Sequence, residues 1–166
     1  MSRLDSFIAR MTAQRAVLNE VCALLNEKSE ALPGPVLELG LGSGRTYHHL
    51  RERLDGRRII VFDRAVRAHP SCVPPQGDVV LGEIKDTGAA FAAQHGAAAA
   101  LVHADLGNGT PAYDAELRSW LPGLAYALVR PGGWILSSTE LVHANLALEP
   151  LPAEVPLGRY FNYRRV

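Results

Sequence analysis

The chain has 166 residues, of which 48% are hydrophobic and 20% are charged, the composition of an ordinary globular protein of one domain. Basic and acidic residues balance at 17 each, so no overall charge draws the chain to nucleic acid or to an anionic membrane. The first residues lack the apolar stretch of a signal peptide, and two cysteines give neither a disulfide framework nor a metal-ligand spacing. We therefore expect a single domain over residues 1–166 in the cytoplasm, with no metal, no membrane partner and no nucleic acid.

The first segment of the chain carries a helical pattern. Apolar residues recur there at three- and four-residue steps, which predicts an amphipathic helix within residues 1–30. These residues are Leu4, Phe7, Ile8, Met11, Leu18, Val21, Leu24 and Leu25. We expect this helix to pack beside a sheet, to cover a ligand pocket, or to form the contact of a homodimer.

A short apolar strand and a glycine-rich turn follow. Val36–Leu39 is interrupted only by Glu38, which predicts a buried parallel strand. Glycines then occupy alternate positions, at Gly40, Gly42 and Gly44. Because glycine has no Cβ, this segment can turn sharply and approach a ligand closely. The helix-forming residues 45–54 come next, so the turn presents free helix N–H groups to that ligand.

A second strand is predicted after a turn at Asp55 and Gly56. The residues Arg58–Asp63 are apolar until the strand ends in Asp63, about 20 residues after the third glycine, as expected for a ribose-binding acid. The carboxyl ends of parallel strands face the ligand crevice, where a carboxylate can accept both ribose hydroxyls. Alternatively, Asp63 caps the turn before Arg64. The proline-rich residues 66–76 predict a loop or a single turn.

The next strands bring further polar residues toward the crevice. Residues 78–84 predict a third strand, residues 88–94 a short helix capped by Asp86 and Thr87, and residues 98–105 a fourth strand. His103 near the end of that strand has an ordinary pKa close to neutrality and could act as a general base. Asp105 could orient an acceptor or bind a metal. The alternative for His103 is a hydrogen-bonded residue of the core.

The last third of the chain is predicted to complete the sheet. Thr110 and Pro111 begin a helix that runs to about Val129, with a kink at Pro122 and Gly123. The two glycines after Pro131 predict a turn into a fifth strand. Residues 139–149 predict a brief helix, and residues 158–166 predict a last strand.

Two of these stretches resemble one enzyme family. Glu38 and the glycines read (D/E)-x-G-x-G-x-G, which resembles motif I of the class I S-adenosylmethionine-dependent methyltransferases. The stretch Pro131-Gly132-Gly133 before the fifth strand also resembles that family. The resemblance implies an α/β fold over residues 35–166: a Rossmann-like, doubly wound, mostly parallel sheet with an antiparallel C-terminal strand.

The resemblance also implies a cofactor and a reaction. The cofactor would be S-adenosyl-L-methionine, whose methyl group is transferred to an acceptor that we expect to be a small molecule. The residues implied to bind the cofactor are Gly40, Gly42 and Gly44 by close backbone approach, Glu38 at the methionine amino end, Asp63 at the ribose, and Glu83 and Ile84 at the adenine. Candidates for the acceptor side, as catalytic residues, are His103 and Asp105.

Two other functions remain open at this point. A non-catalytic protein could bind S-adenosylmethionine or S-adenosylhomocysteine as a sensor or scaffold, since no substrate-recognition insertion is visible. A nicotinamide-dependent oxidoreductase is disfavoured, because Arg45 stands where the G-x-G-x-x-G fingerprint requires its third glycine.

Overall fold

The computed structural model describes residues 2–54 and 56–166. Met1, in the predicted N-terminal helical segment, and Asp55, in the predicted turn, therefore lie outside the described residues. The helices are α1 (Arg3–Glu27), α2 (Arg45–Arg53), α3 (Ile84–His95) and α4 (Pro111–Leu128). The strands are β1 (Val36–Leu39), β2 (Ile59–Asp63), β3 (Val79–Leu81), β4 (Ala99–Ala104), β5 (Val129–Ser137), β6 (Leu146–Leu148) and β7 (Phe161–Arg165).

The strands of the described residues form one seven-stranded sheet in the order β3-β2-β1-β4-β5-β7-β6. The five strands from β3 to β5 run parallel, whereas β7 is antiparallel to both β5 and β6. The strand order reverses direction at β1 and β4, which creates the crevice where doubly wound folds bind ligands. This topology confirms the predicted fold class.

Helices cover both faces of the sheet and bury a core on each. On one face, Val17 of α1 and Leu50 of α2 pack with strand residues such as Leu101. On the other face, residues of α4 such as Leu121 pack with Phe62 and its neighbours, and α3 lies alongside. The two faces explain why β1 and β4 are buried along their whole length, as expected for central strands of a parallel sheet.

Helix α1 is stabilised by a capping box at its start and by a buried apolar face along its length. The Ser2 side chain accepts a hydrogen bond from the Asp5 backbone N–H at 3.0 Å, and the Asp5 carboxylate accepts one from the Ser2 backbone N–H at 3.0 Å. This capping box satisfies two N–H groups that the helix leaves free. The apolar residues at helical spacing then provide the buried face, which includes Val17, Leu18 and Val21.

Two boundaries and one helix cap differ from the prediction around α3. Strand β3 ends at Leu81, because Gly82 adopts a φ of 146° and leaves the strand. Helix α3 begins at Ile84, four residues before the predicted start, and Glu83 is its N-cap residue. The Glu83 carbonyl oxygen accepts hydrogen bonds from the backbone N–H groups of Asp86 and Thr87, so Asp86 lies in the first turn instead of capping it.

In the last third of the chain the predicted bounds of α4 are confirmed, whereas two later predictions are wrong. Helix α4 continues through Pro122 to Leu128, and Val129 already pairs with Ala99 of β4. The Pro131-Gly132-Gly133 stretch therefore lies within β5, at an irregularity of the strand pairing, and not in a turn before the strand. The described residues 139–149 contain no helix; instead they lead into β6, which gains its hydrogen bonds by pairing with β7.

The crossover between β2 and β3 agrees with the prediction of a loop. It contains two short 3₁₀ turns, Pro70–Cys72 and Gln76–Asp78. Across residues 2–54 and 56–166, none of the helices has the length and apolar character needed to cross a membrane.

Candidate functional site

A cleft of about 950 Å³ opens at the carboxyl ends of β1 to β4. It is bounded by the glycine-rich turn, by the segments that follow β2, β3 and β4, and by side chains of α1 and α4. The residues that line it are Arg10, Met11, Gln14, Gly40, Leu41, Gly42, Ser43, Arg45, Thr46, Asp63, Arg64, Glu83, Ile84, Lys85, Asp86, Asp105, Leu106, Asn108, Tyr113, Glu116, Leu117 and Trp120. Its position is that of the ligand crevice in doubly wound sheets.

The first two glycines give the turn its open shape. Gly40 has a φ of 91°, and a Cβ there would lie 2.7 Å from the Leu106 side chain. Gly42 has a φ of 51°, and a Cβ there would meet no atom of the described residues within 4 Å. A side chain at Gly42 would therefore project into open space beside the cleft, where its absence lets a ligand contact the backbone.

The third glycine has a packing role. A Cβ on Gly44 would lie 2.5 Å from the Cys72 Cβ and 3.0 Å from the Ala68 Cβ. Gly44 is not among the residues that line the cleft. It allows the start of α2 to pack closely against the β2–β3 crossover.

Asp63 lines the cleft and holds the glycine-rich turn in place. Its Oδ2 accepts hydrogen bonds from the backbone N–H groups of Leu41, at 2.8 Å, and Gly42, at 3.2 Å. Its Oδ1 accepts hydrogen bonds from the backbone N–H groups of Arg64, at 2.6 Å, and Ala65, at 3.3 Å. A carboxylate offers about four lone-pair directions, so these contacts already use its ordinary acceptor capacity. Asp63 thus caps its own turn and also reaches the cleft.

Glu83 and Ile84 follow β3 at the edge of the same cleft. The Glu83 carboxylate forms an ion pair with Arg64 at 2.8 Å, and both side chains are largely exposed. Ile84 packs against the core of the α3 and α4 face and presents apolar surface to the cleft. Leu106, which follows β4, also lines the cleft and packs on that core. The cleft therefore has apolar lining both at the end of β3 and at the end of β4.

Glu38 and His103 meet beneath the cleft. The register of β1 against β4 places the two residues opposite each other, so their side chains share one face of the sheet. The Glu38 Oε2 lies 2.7 Å from the His103 Nδ1, and neither side chain reaches solvent. The hydroxyl of Thr46, at the start of α2, donates a hydrogen bond to the other carboxylate oxygen of Glu38. Glu38 and His103 are not among the residues that line the cleft.

The second ring nitrogen of His103 contacts Tyr160. The His103 Nε2 forms a hydrogen bond with the Tyr160 hydroxyl, which also accepts one from the Gln14 amide at 3.4 Å. Burial disfavours the charged imidazolium, but the charge and hydrogen bond of Glu38, with a further contribution from Asp105, raise the pKa of His103. Burial raises the pKa of Tyr160 well above its usual value, so the phenol stays neutral.

Asp105 reaches the cleft next to α1. Its Oδ2 accepts a hydrogen bond from the Gln14 amide at 2.9 Å, and its Oδ1 lies 3.3 Å from the Arg10 guanidinium. The Asp105 side chain is 20% exposed, enough to present its carboxylate to a ligand. Of the two acceptor-side candidates, only Asp105 is open to the cleft, whereas His103 lies behind it.

Several residues of this site carried no prediction. They are Arg10, Met11 and Gln14 of α1, Leu106 and Asn108 after β4, Tyr113, Glu116 and Trp120 of α4, and Tyr160. For Gln14 a signal existed: it is a polar residue among the apolar positions of α1, beside Ala13, Val17 and Leu18. Tyr160 gave no local signal, because its partners come from distant parts of the sequence.

A second cavity of about 920 Å³ lies at the opposite end of the sheet. Its lining includes Gly34, Arg57 and Ala98, which precede β1, β2 and β4. The Arg57 guanidinium is already engaged with the carbonyl oxygens of Leu32, at 3.0 Å, and Gly34, at 2.8 Å. The cleft at the carboxyl ends, where loops and helix N-termini converge, is the better candidate site.

The profile of the S-adenosyl-L-methionine methyltransferase family matches residues 1–165 of the chain. The chain therefore belongs to this family of enzymes, and its cofactor is S-adenosyl-L-methionine. This assignment confirms the resemblance seen in the glycine-rich turn and excludes a nicotinamide-dependent oxidoreductase. No curated protein matches the chain.

Solved structures support the same assignment. The chain is similar to a crystal structure of an S-adenosyl-L-methionine methyl transferase from Silicibacter pomeroyi DSS-3, with 44% identity, a TM-score of 0.91, and coverage of 100% of this chain and 99% of that chain. It shares its fold with cofactor-bound Rv0187 from MTB (17% identity, TM-score 0.56, 98% and 89% coverage). It also shares its fold with the aminoglycoside resistance methyltransferase NpmB1 (15% identity, TM-score 0.53, 87% and 93% coverage).

Proposed function

We propose that the chain transfers the methyl group of S-adenosyl-L-methionine to a small-molecule acceptor that binds between α1 and the end of β4. The observation that carries this proposal is the Asp105 carboxylate, which reaches the cleft beside the glycine-rich turn and is held there by Gln14 and Arg10. The cofactor supplies a methyl group already activated by its sulfonium, so the protein mainly has to bind and orient the two reactants.

The order of the strands supports a direction for the bound cofactor. Ile84 offers apolar surface suited to the adenine ring, with Glu83 at its edge, and Asp63 at the end of β2 is suited to the ribose. A ligand with its adenine at β3 and its ribose at β2 would continue across β1 toward β4, because the sheet order is β3-β2-β1-β4. Its amino-acid end would then reach Asp105.

Backbone and side-chain groups near Asp105 would hold the amino-acid end of the cofactor. The backbone at Gly42 allows close approach, and Thr46 and Arg45 stand at the first turn of α2, where free N–H groups favour a carboxylate. Asp105 would orient the acceptor or the α-ammonium of the cofactor. His103 does not contact the cleft, and we assign it to positioning Glu38 instead of to proton removal from the acceptor.

The shape and charge of the cleft favour a small molecule. About 950 Å³ lies at the upper end of the range for small-molecule sites, roughly 300–1,000 Å³, and would hold the cofactor with a small acceptor. Cationic and anionic side chains alternate along it, as with Arg10 beside Asp105 and Arg64 beside Glu83. Nucleic-acid sites instead carry a continuous basic surface that neutralises phosphates.

The test is methyl transfer from labelled S-adenosyl-L-methionine to separated fractions of a cell extract. We expect label in the fraction of small molecules and little in the fractions of RNA or protein. Asp105→Asn should lower the incorporation by roughly tenfold or more, whereas Asp78→Asn, at the opposite end of the sheet, should not. Label confined to RNA or protein, with none in small molecules, would overturn the proposed acceptor class.

Two further proposals concern the setting of the enzyme. We propose a homodimer formed through α1, supported by the side chains of Leu4, Phe7 and Ile8, which are large, apolar and 66%, 43% and 53% exposed on one side of its first turns.

We also propose that the enzyme works in the reducing cytoplasm, since Cys22 and Cys72 are both buried free thiols. Burial raises the pKa of Cys22 to about 12, which keeps this thiol unreactive.

A further inference from the structure

A path of buried hydrogen bonds begins and ends in the cleft. It runs from Thr46 through Glu38, His103, Tyr160 and Gln14 to Asp105, and the outer members line the cleft while the middle ones lie beneath it. The exposed fractions of Glu38, His103 and Tyr160 are 0%. The path therefore joins the turn that binds the cofactor to the carboxylate on the other side of the cleft.

Gln14 is the branch point of this path. Its amide nitrogen donates to the Asp105 Oδ2 at 2.9 Å and to the Tyr160 hydroxyl at 3.4 Å. A primary amide carries two hydrogens, so one nitrogen serves both acceptors. With the Tyr160 contact in place, the amide is fixed in the orientation that Asp105 requires. Without the hydroxyl, the amide would keep beneath the cleft only its long contact with the His103 Nε2, at 3.5 Å, and would be held less firmly toward Asp105.

Stability alone gives a weak reason to keep such a path. Buried polar and charged groups carry a desolvation cost, and a well-packed apolar replacement is often as stable or more stable. The elements that contribute are also far apart in sequence: Gln14 lies in α1, His103 in β4, and Tyr160 just before β7. What they share is a position around the Asp105 end of the cleft.

We propose that Gln14 and Tyr160 are positioning residues, which hold Asp105 for the amino-acid end of the bound cofactor and link it to Glu38 beneath the glycine-rich turn. The inference rests on the proposed function, in particular on the direction of the cofactor across the sheet. The α-ammonium of the cofactor is a cation suited to the Asp105 carboxylate. Tyr160 does not line the cleft and acts on the cofactor only through Gln14 and Asp105.

The experiment compares two ligands that differ in the amino-acid end. S-adenosylhomocysteine has this end, whereas 5′-methylthioadenosine has only the adenosine and a methylthio group. We would titrate both by calorimetry into the wild type, Tyr160→Phe, Gln14→Leu and, as a reference, Asp105→Asn. We expect each variant to bind S-adenosylhomocysteine roughly tenfold more weakly, the loss of about one hydrogen bond to a charged group. The affinity for 5′-methylthioadenosine should stay within about twofold.

The matched control is Tyr163→Phe. Tyr163 is also buried, and its hydroxyl accepts a hydrogen bond from the Leu141 backbone N–H at 2.9 Å, but it packs on the opposite face of the sheet. This variant should lose thermal stability and bind both ligands as the wild type does. The double variant of Tyr160→Phe and Gln14→Leu should lose less binding free energy for S-adenosylhomocysteine than the sum of the two single losses, since both residues act on one carboxylate.

The outcomes distinguish a failure of the proposed function from a failure of the positioning role. If the wild type binds neither ligand, the proposed function is wrong and this inference falls with it. The alternative outcome is that the wild type binds both ligands while each variant loses affinity for both equally, or for neither. In that case the path is structural only, and the positioning role is overturned. Gln14→Leu gives the same comparison should Tyr160→Phe not fold, because leucine suits a buried helical position.

Discussion

Asp63 shows how one carboxylate can hold two turns together at the edge of a cleft. The four backbone N–H contacts that it accepts fix Leu41 and Gly42 of the glycine-rich turn and the start of the β2–β3 crossover. The turn-capping role is therefore observed, and the ribose contact stays a prediction. For a ribose to bind here, its hydroxyls must share or replace some of these hydrogen bonds.

The first prediction concerns this residue. Asp63→Asn keeps the size of the side chain but replaces one acceptor oxygen with an NH₂ donor, which opposes the backbone N–H groups. We expect the affinity for S-adenosylhomocysteine to fall by roughly tenfold or more, measured by calorimetric titration. The control is Asp78→Asn, whose carboxylate pairs with Arg58 at 2.6 Å, away from the cleft. Equal affinity of Asp63→Asn and the wild type would contradict a role for Asp63 in binding.

At the scale of elements, the contact between α1 and α2 matters most for the cleft, because both helices contribute to its lining. His49 of α2 lies with its Nε2 2.8 Å from the Asn19 Oδ1 of α1. Burial, together with the nearby charges of Arg53 and Arg15, lowers the pKa of His49. The neutral imidazole is thus the form that the packed helices favour.

The second prediction follows from the sign of this shift. A histidine whose pKa is lower in the folded state stabilises the fold above its unfolded pKa, near 6.5, and loses that contribution as the pH falls through its folded pKa. We expect His49→Gln, which can still donate to Asn19, to lose less thermal stability than the wild type between pH 7 and pH 5. His103, whose pKa is raised, contributes with the opposite sign: its contribution is complete below 6.5 and is lost as the pH rises through its folded pKa.

The measurement is the midpoint of thermal unfolding at both pH values. His95→Gln, an exposed position on α3, serves as the control and should follow the wild type. Identical pH dependence in His49→Gln and the wild type would show that the α1–α2 contact does not depend on this proton.

At the scale of the whole molecule, the exposed side chains at the start of α1 lead to the third prediction. We expect the wild type to sediment as a dimer at micromolar concentration, because burying Phe7 and Ile8 between two copies removes apolar surface from water. The double variant Phe7→Ser with Ile8→Ser should sediment as a monomer. Val142→Ser alters a residue that is 83% exposed outside α1 and should leave the dimer intact. A monomeric wild type would refute the proposed contact.

The sequence predicted the features that depend on neighbouring residues. The apolar run before Gly40, the alternate glycines and the strand that ends in Asp63 each have a local pattern, and together they indicated the fold and the cofactor. The predicted starts of α3 and β5 were wrong, because a helix cap or a strand irregularity depends on hydrogen bonds that the sequence does not display. Strand β6 is a further example, since it exists only by pairing with β7.

Only the tertiary structure decided the surroundings of the acceptor-side residues. His103 and Asp105 are two residues apart in the sequence, yet His103 lies within β4 opposite buried Glu38, whereas Asp105 follows the end of the strand and reaches the cleft. Gln14 and Tyr160, from opposite ends of the chain, meet there. The physical reason is that local patterns fix periodicity and turns, whereas the pairing of β1 with β4 and the packing of α1 bring distant side chains together, and such contacts depend on the folded chain as a whole.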